Sequence, residues 1–179
     1  MRRTHPLALK YLRHFEKLLR ERKAFKKFFD PTRDPSYSMY SVGEYTFAPH
    51  KVVWMDISDS MKAAAVTDGV GNDLFIPEHT VIFIDVGSAE EAHYLAAILN
   101  SEQVGRVVEG YIVDNHLSTH VIENVVIPKY VRRVEVHGQL ASLGRRAQKA
   151  ARSSAQKVAE IEEEIQSILA GFWPARPSA

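Results

Sequence analysis

His116 and His120 stand four residues apart, so on a helix their imidazoles share one face. Two such nitrogens begin a zinc site, but zinc needs further ligands, and no nearby Glu or His is placed to add one. Ser118 lies two residues from each histidine, yet that spacing does not make a nucleophile, which needs a base held by a third group. Glu21-Arg22-Lys23 has the local spelling of a metal-dependent nuclease motif. It sits in a basic stretch with no upstream acid to complete a carboxylate cluster. Asp56, Asp59, Asp68 and Asp73 form a looser acidic group, open to two readings: a cation site or solvated loop acids. Gly69 and Gly71 are the only closely spaced glycines, and no helical pattern opens behind them to cradle a phosphate. His93, beside Tyr94, reads as a packing residue. The chain has no cysteine, which excludes disulfides, cysteine-ligated zinc, iron–sulfur clusters and a thiol nucleophile. No catalytic, cofactor-binding or metal centre is assembled from these residues, and binding is the expected function.

The elements that must position them follow from periodicity. From Pro6 the chain reads as one helix, with Leu12, Phe15 and Leu19 on a stripe and Ala8 a turn earlier; Asp30-Pro31 ends it. Strand patterns follow at 51–55, 63–67 and 80–84, the last being β-branched and aromatic, with turn chemistry at 69–73. Ser88 is an N-cap and Glu91 completes a capping box; Ala92, Leu95, Ala96 and Leu99 form the apolar face of the helix that follows. A second helix runs from Glu102 to about Gly110, then comes the short apolar Val125-Val126-Ile127 before Pro128. The final third is helical: Leu140, Leu143 and Ala147 make one stripe, and Val158, Ile161, Ile165 and Ile168 a seam at 3-4-3 spacing. Gly171 and Pro174 terminate it. The expected class is α+β: a mixed, largely antiparallel sheet core with a basic N-terminal helix, two central helices and long C-terminal helices. The expected organisation is a basic helix and connection over 1–35, an α+β core over 36–134, a helical segment over 135–173 and a tail over 174–179.

At 179 residues, 45% hydrophobic and 25% charged, the chain suits one folded domain with extensions. No apolar run approaches membrane-spanning length and the N-terminus lacks a signal-peptide pattern, so a cytoplasmic protein is expected. The net charge of +1 hides a strong segregation. Residues 1–33 carry eleven Lys/Arg against three acids, residues 34–128 three against fourteen, and residues 129–179 nine against five. Basic ends can face a nucleic acid or simply be solvated, and the acidic middle argues against a globule that hugs phosphates all round.

Three stretches carry a resemblance. Residues 37–54 read Tyr-Ser-Met-Tyr-Ser-Val-Gly-Glu-Tyr-Thr-Phe-Ala-Pro-His-Lys-Val-Val-Trp. Residues 76–79 read Ile-Pro-Glu-His, followed at 91–101 by Glu-Ala-His-Tyr-Leu-Ala-Ala-Ile-Leu-Asn-Ser. Residues 117–130 read Leu-Ser-Thr-His-Val-Ile-Glu-Asn-Val-Val-Ile-Pro-Lys-Tyr. Together they resemble the C-terminal target-recognition (specificity) domain of adenine-N6 DNA methyltransferases of restriction–modification systems, the TaqI-like or Eco57I-like type. The stretch 11–22 resembles the helix that precedes that domain, and 161–173 its closing helix. Ser36 departs from the pattern, standing where an aromatic residue often precedes the tyrosine. The larger departure is the missing catalytic half: none of the eight prolines are adjacent, so the Asn/Asp-Pro-Pro-Tyr/Phe motif is absent. The resemblance implies double-stranded DNA as a partner, with no membrane. It also implies a methyltransferase catalytic domain in cis or in trans, holding S-adenosylmethionine. No enzyme activity is expected of this chain alone. Such enzymes must find a site and extrude a base, and a recognition domain supplies groove and phosphate contacts while its partner holds the cofactor.

Candidate contacts follow. Tyr37, Tyr40 and Tyr45 lie with serines, Gly43 and Thr46 in a segment that either reaches bases and phosphates or packs the sheet. Lys51 and Lys62 are rare cations in an acidic stretch, suited to phosphate or guanine contact or to solubility; Trp54 belongs to the core. His116, Ser118, Thr119 and His120 offer either phosphate contacts at a helix start or plain capping. Arg106, Lys129 and Arg132 are further phosphate candidates. The rival function is a helical assembly module that docks a methyltransferase or nuclease partner through the C-terminal stripe without reading DNA. A small nuclease comes third, for want of an ordered carboxylate–lysine set.

Overall fold

The structure is a computed structural model and describes residues 3–67, 74–111, 116–117 and 119–172. The chain forms two compact units, Met1–Glu44 and Tyr45–Ala179. The division falls inside the tyrosine-rich segment. Among the described residues no helix is long and apolar enough to cross a membrane.

The first unit holds three short helices, α1 (Pro6–His14), α2 (Glu16–Glu21) and α3 (Lys23–Phe28), not the single helix that periodicity suggested. The chain leaves helical geometry at Phe15 and again at Arg22, where ψ is 137°. Arg22 shows why the second break persists. Its Nε donates to the Leu19 carbonyl at 2.9 Å, capping the end of α2, while Nη2 donates to the Ser36 and Ser38 carbonyls at 2.9 and 2.8 Å. A guanidinium can fill several carbonyls at once from a fixed fork. The residue in the middle of the nuclease-like spelling is thus a tie between a helix end and a loop. Phe25 is buried and stacks on Phe29, and Asp30 holds the following turn by accepting from the Thr32 amide and hydroxyl.

The second unit carries an antiparallel sheet of order β2-β1-β3, from β1 (Lys51–Met55), β2 (Ala64–Val66) and β3 (Val81–Asp85). With the helices packed against this sheet, the α+β class holds. Val52 and Trp54 are buried and Ile82 and Ile84 pack on the same core, while Met55 is exposed, as strand alternation requires. Parity also decides which backbone groups face outward. Val53 pairs with Ala64 and Lys51 with Val66, so the amides and carbonyls of Ala63 and Ala65 point off the β2 edge. Two side-chain amides close that edge. Asn100 Oδ1 accepts from the Ala63 amide at 2.7 Å and its Nδ2 donates to the Ala63 carbonyl at 2.8 Å. Gln148 does the same for Ala65, with both bonds at 2.8 Å. Each amide imitates one residue of a neighbouring strand.

The unit's helices are α4 (Ala89–Leu99), α5 (Glu102–Glu109), the single turn α6 (Thr119–Ile122), α7 (Glu135–Ala150) and α8 (Ala155–Phe172), of which α4 and α7 pack on the sheet. Ser88 caps α4 as expected, accepting from the Glu91 amide at 3.1 Å; the Glu91 carboxylate reaches one residue further back, to the Gly87 amide at 2.9 Å. α4 and α7 cross closely at Gly144. A Cβ there would stand 2.3 Å from the His93 carbonyl oxygen and 3.1 Å from Ala97 Cβ, so only glycine fits. Further along, Tyr94 is fully buried, donates to the Pro128 carbonyl at 2.9 Å, and lies 4.8 Å ring to ring from His137. Burial pushes the Tyr94 phenol up to about 12. The seam of α8 is internal: Ile161, Ile165 and Leu169 are buried in the core cluster that also holds Leu140 and Leu143 of α7.

Two predictions follow from this packing. Gly144→Ala forces α4 and α7 apart and lowers stability by about 1–3 kcal/mol, whereas Gly138→Ala on the same helix, with open space around it, raises stability by about 0.5–1 kcal/mol. Urea melts of the two variants check the pair. The second concerns His137, whose Nδ1 accepts the Val131 amide at 2.8 Å and whose pKa burial holds below the ordinary histidine value. The folded state therefore keeps this ring neutral while the unfolded chain protonates near pH 6.5. Stability is full above that pH and declines as pH falls through it, because the unfolded state then binds more protons. His93 is lowered for the same first reason, burial, with Arg145 adding to it. Melting temperatures across this range should slope less steeply in His137→Gln than in the wild type, whatever the offset between them.

Candidate nucleic-acid interface

The loop from Asp56 to Lys62, between β1 and β2, organises the exposed polar groups of the second unit. At its start it meets the 116–117 segment. The Leu117 amide donates to the Asp56 carbonyl at 2.6 Å, Ile57 forms an isolated antiparallel bridge with His116, and the buried Trp54 indole donates to the Leu117 carbonyl at 2.9 Å. Leu117 is itself fully buried, so this segment is anchored by a core side chain, a backbone bridge and the Trp54 indole. The anchoring presents the His116 imidazole to solvent, with Nδ1 3.6 Å from the Asp56 carboxylate. Thr119 and His120 follow, exposed, on α6; His120 Nδ1 lies 3.2 Å from Glu123. The second imidazole thus faces its own carboxylate, and the His116–His120 pair is not a shared metal face. Among the described residues no three metal-ligating side chains cluster. Ser118 lies outside the described residues, as do Asp68, Gly69, Gly71 and Asp73 of the expected turn.

At its other end the loop reaches the C-terminus of α4. Lys62 is exposed and lines a crevice of about 530 Å³ together with Asn100, Ser101 and Gln148. Arg106 is also at this end, exposed on α5 and paired with Glu102 at 2.5 Å. Lys129 and Arg132 belong elsewhere. They are exposed on the segment that Tyr94 holds through Pro128, Arg132 in a turn and in the field of Glu90 at the start of α4. Glu90 and Asn100, the residue that caps the end of α4, are ten positions apart, about 15 Å at helical rise. The structure therefore brings His116, Thr119 and His120 together at one end of the 56–62 loop and Lys62 with Arg106 at the other, and leaves Lys129 and Arg132 apart.

Lys51 requires correction. It is 1% exposed, its ammonium donating to the Ala48 carbonyl, so it is a structural residue and not a free contact. A lysine at the start of a strand can fold its stem along the sheet and satisfy a nearby turn carbonyl, which alternation alone does not reveal. The tyrosines divide between the units. In the first unit Tyr37 is half-buried, and Tyr40 stacks on Phe28 at 3.8 Å with both rings substantially exposed; Lys27 lies 5.0 Å from the Phe28 ring. The turn after it passes through Ser41 at φ 53°, a left-handed conformation. In the second unit Tyr45 covers Phe83 of β3 at 5.8 Å and remains exposed. Of the first unit's cations, Lys10, Arg13, Lys17, Lys23, Lys26 and Lys27 are exposed, while Arg20 and Arg22 are engaged within the unit. Sequence reasoning missed Asn100 and Gln148; the weak strand signal of Ala64-Ala65 was the one hint that outside groups must hold that edge. Comparison with family models and with curated proteins finds no match.

The anchoring of the 116–117 segment is directly testable. Trp54→Phe keeps an aromatic ring on the core but leaves the Leu117 carbonyl without its indole donor, which costs about 1–3 kcal/mol for a buried acceptor. Amide exchange at Leu117 should accelerate more than exchange in α4 or α7.

Proposed function

We propose that this chain is a sequence-specific DNA-recognition domain serving an adenine-N6 methyltransferase of a restriction–modification system, with no catalytic role of its own. The observation that carries the reading is the convergence of the 116–117 segment on the start of the 56–62 loop. The ends of two stretches that resemble the specificity domain by sequence, Trp54 and Leu117, are joined there, beside the half-buried Asp56 and the exposed His116, Thr119 and His120 side chains. Such groups suit base edges: imidazoles and hydroxyls donate or accept, and an aspartate accepts from cytosine N4. The exposed cations of the first unit suit the other half of recognition, sequence-independent attraction to phosphates. Methyl transfer and S-adenosylmethionine belong, in this reading, to a catalytic domain in cis or in trans. The rival of a docking helix loses its main support, since the stripe that suggested it is buried within the second unit.

The test is selection from a randomised duplex pool at low salt, followed by anisotropy measurements on the enriched and scrambled duplexes. Binding should be weak and fall steeply with salt. His116→Ala or Lys62→Ala should cost roughly 1–3 kcal/mol on the enriched site and relax the preference, while Lys26→Ala should weaken all duplexes alike and flatten the logarithmic salt slope by about one unit. No enrichment, or a preference untouched by substitutions throughout 56–62 and 116–120, overturns the reading. Methyl transfer from labelled S-adenosylmethionine by the pure chain would overturn its non-catalytic part.

A further inference from the structure

The sheet has two edges and the chain treats them differently. β2 is closed by Asn100 and Gln148. On β3, Thr80 accepts from Asp56 and Val86 donates to His50, so the even residues face β1 and Val81, Phe83 and Asp85 turn their backbone groups outward. The Val81 amide folds back to the Glu78 carbonyl at 2.9 Å. No described residue bonds the amide or carbonyl of Phe83, the amide or carbonyl of Asp85, or the Val81 carbonyl. The strand reads Val-Ile-Phe-Ile-Asp in unbroken register, without the proline, lysine or bulge by which edges are usually blunted.

We propose that β3 pairs with β3 of a second copy of this chain, antiparallel about a two-fold axis at Phe83, to make one continuous six-stranded sheet. Outward residues of one strand must meet outward residues of the other, and β3 meets that condition with itself. Phe83 faces Phe83 and exchanges two hydrogen bonds across the axis; at each end the Asp85 amide donates to the Val81 carbonyl of the other copy. This leaves the Val81 amide on Glu78, where it already is. Charge favours the same register. Asp85 faces Val81, so the two carboxylates lie four residues apart, about 14 Å and beyond the screening length. A parallel pair would set them side by side. Closure follows from the opposite edge: with β2 capped by amides, assembly stops at two copies instead of running on as a fibre. The exposed Tyr45 ring, resting on Phe83, adds aromatic surface beside the axis.

The test is sedimentation equilibrium of the full chain over a concentration series, in which the mass should rise from 20.2 kDa toward twice that value. The absence of cysteine makes a covalent readout clean. Phe83→Cys, oxidised, should give a disulfide-linked dimer, since facing bonded residues sit about 5.5 Å apart between Cα atoms. Ser142→Cys, on the exposed side of α7, should not. Val81→Lys, facing Asp85 of the second copy, should tighten the dimer several-fold, and Val81→Asp should loosen it by a similar factor. A chain that stays monomeric throughout overturns the proposal, including one whose β3 edge instead takes up a foreign extended peptide. A dimer that forms no disulfide at 83 and ignores both substitutions at 81 overturns it too. Should Phe83→Cys fail to fold, the two Val81 variants decide alone.

Discussion

Where α4 crosses α7 there is no room for a methyl group, because Gly144 lies against the His93 carbonyl. That close approach fixes the distance between the two helices that hold β2 and the segment through Pro128. α4 ends in Asn100 and α7 carries Gln148, and these two amides hold the β2 backbone at Ala63 and Ala65. Near its middle α4 carries Tyr94, which fixes the segment through Pro128 and meets His137 near the start of α7. α8 then packs its isoleucines against α7. Widening the crossing by a fraction of an ångström would draw the two clamping amides off a strand that has little packing of its own.

The sequence was legible where local chemistry and tertiary need agree. The three strands fall within a residue of the positions that β-branched and aromatic runs suggest, and Ser88 caps the helix whose start it marked. The seam of α8 is buried as 3-4-3 spacing implies, with Leu169 in place of Ile168 as its last fully buried member. Legibility failed where a side chain acts at a distance. An unbroken apolar stripe over residues 8–19 gives no sign that the chain will leave helical geometry at Phe15 and Arg22. The second break is held by a guanidinium reaching across to Ser36 and Ser38. Lys51 looked like a free cation because charge was read without knowing which way its stem would fold.

The candidate interface was half visible for the same reason. His116, Thr119 and His120 were chosen by residue type, and they are exposed together because Leu117 is buried beneath them and Trp54 holds its carbonyl. Nothing in the spacing of the histidines indicated that each would face a carboxylate, Asp56 in one case and Glu123 in the other. This surface carries Asp56, Asp59 and Glu123 against Lys62, so what it offers a ligand is hydrogen-bonding pattern more than positive charge. Exposed cations are denser along the first unit than along the second, and apolar residues such as Leu7, Tyr11 and Leu18 are exposed in the same unit.

The two amide clamps also set an order of events in time. Asn100 lies 37 residues from its partner in the strand and Gln148 lies 83 residues from its own. On a ribosome, β1 and β2 emerge together and can pair, but the outer face of β2 stays bare until α4 arrives and is not fully covered until α7 has been made. For that interval the nascent sheet has two open edges instead of one. A segment as small and apolar as Ala63-Ala64-Ala65-Val66 offers little steric resistance to a stray strand. The elongating chain is therefore most exposed to mispairing during the span of translation between Ala63 and Gln148, and synthesis of α7 ends that exposure.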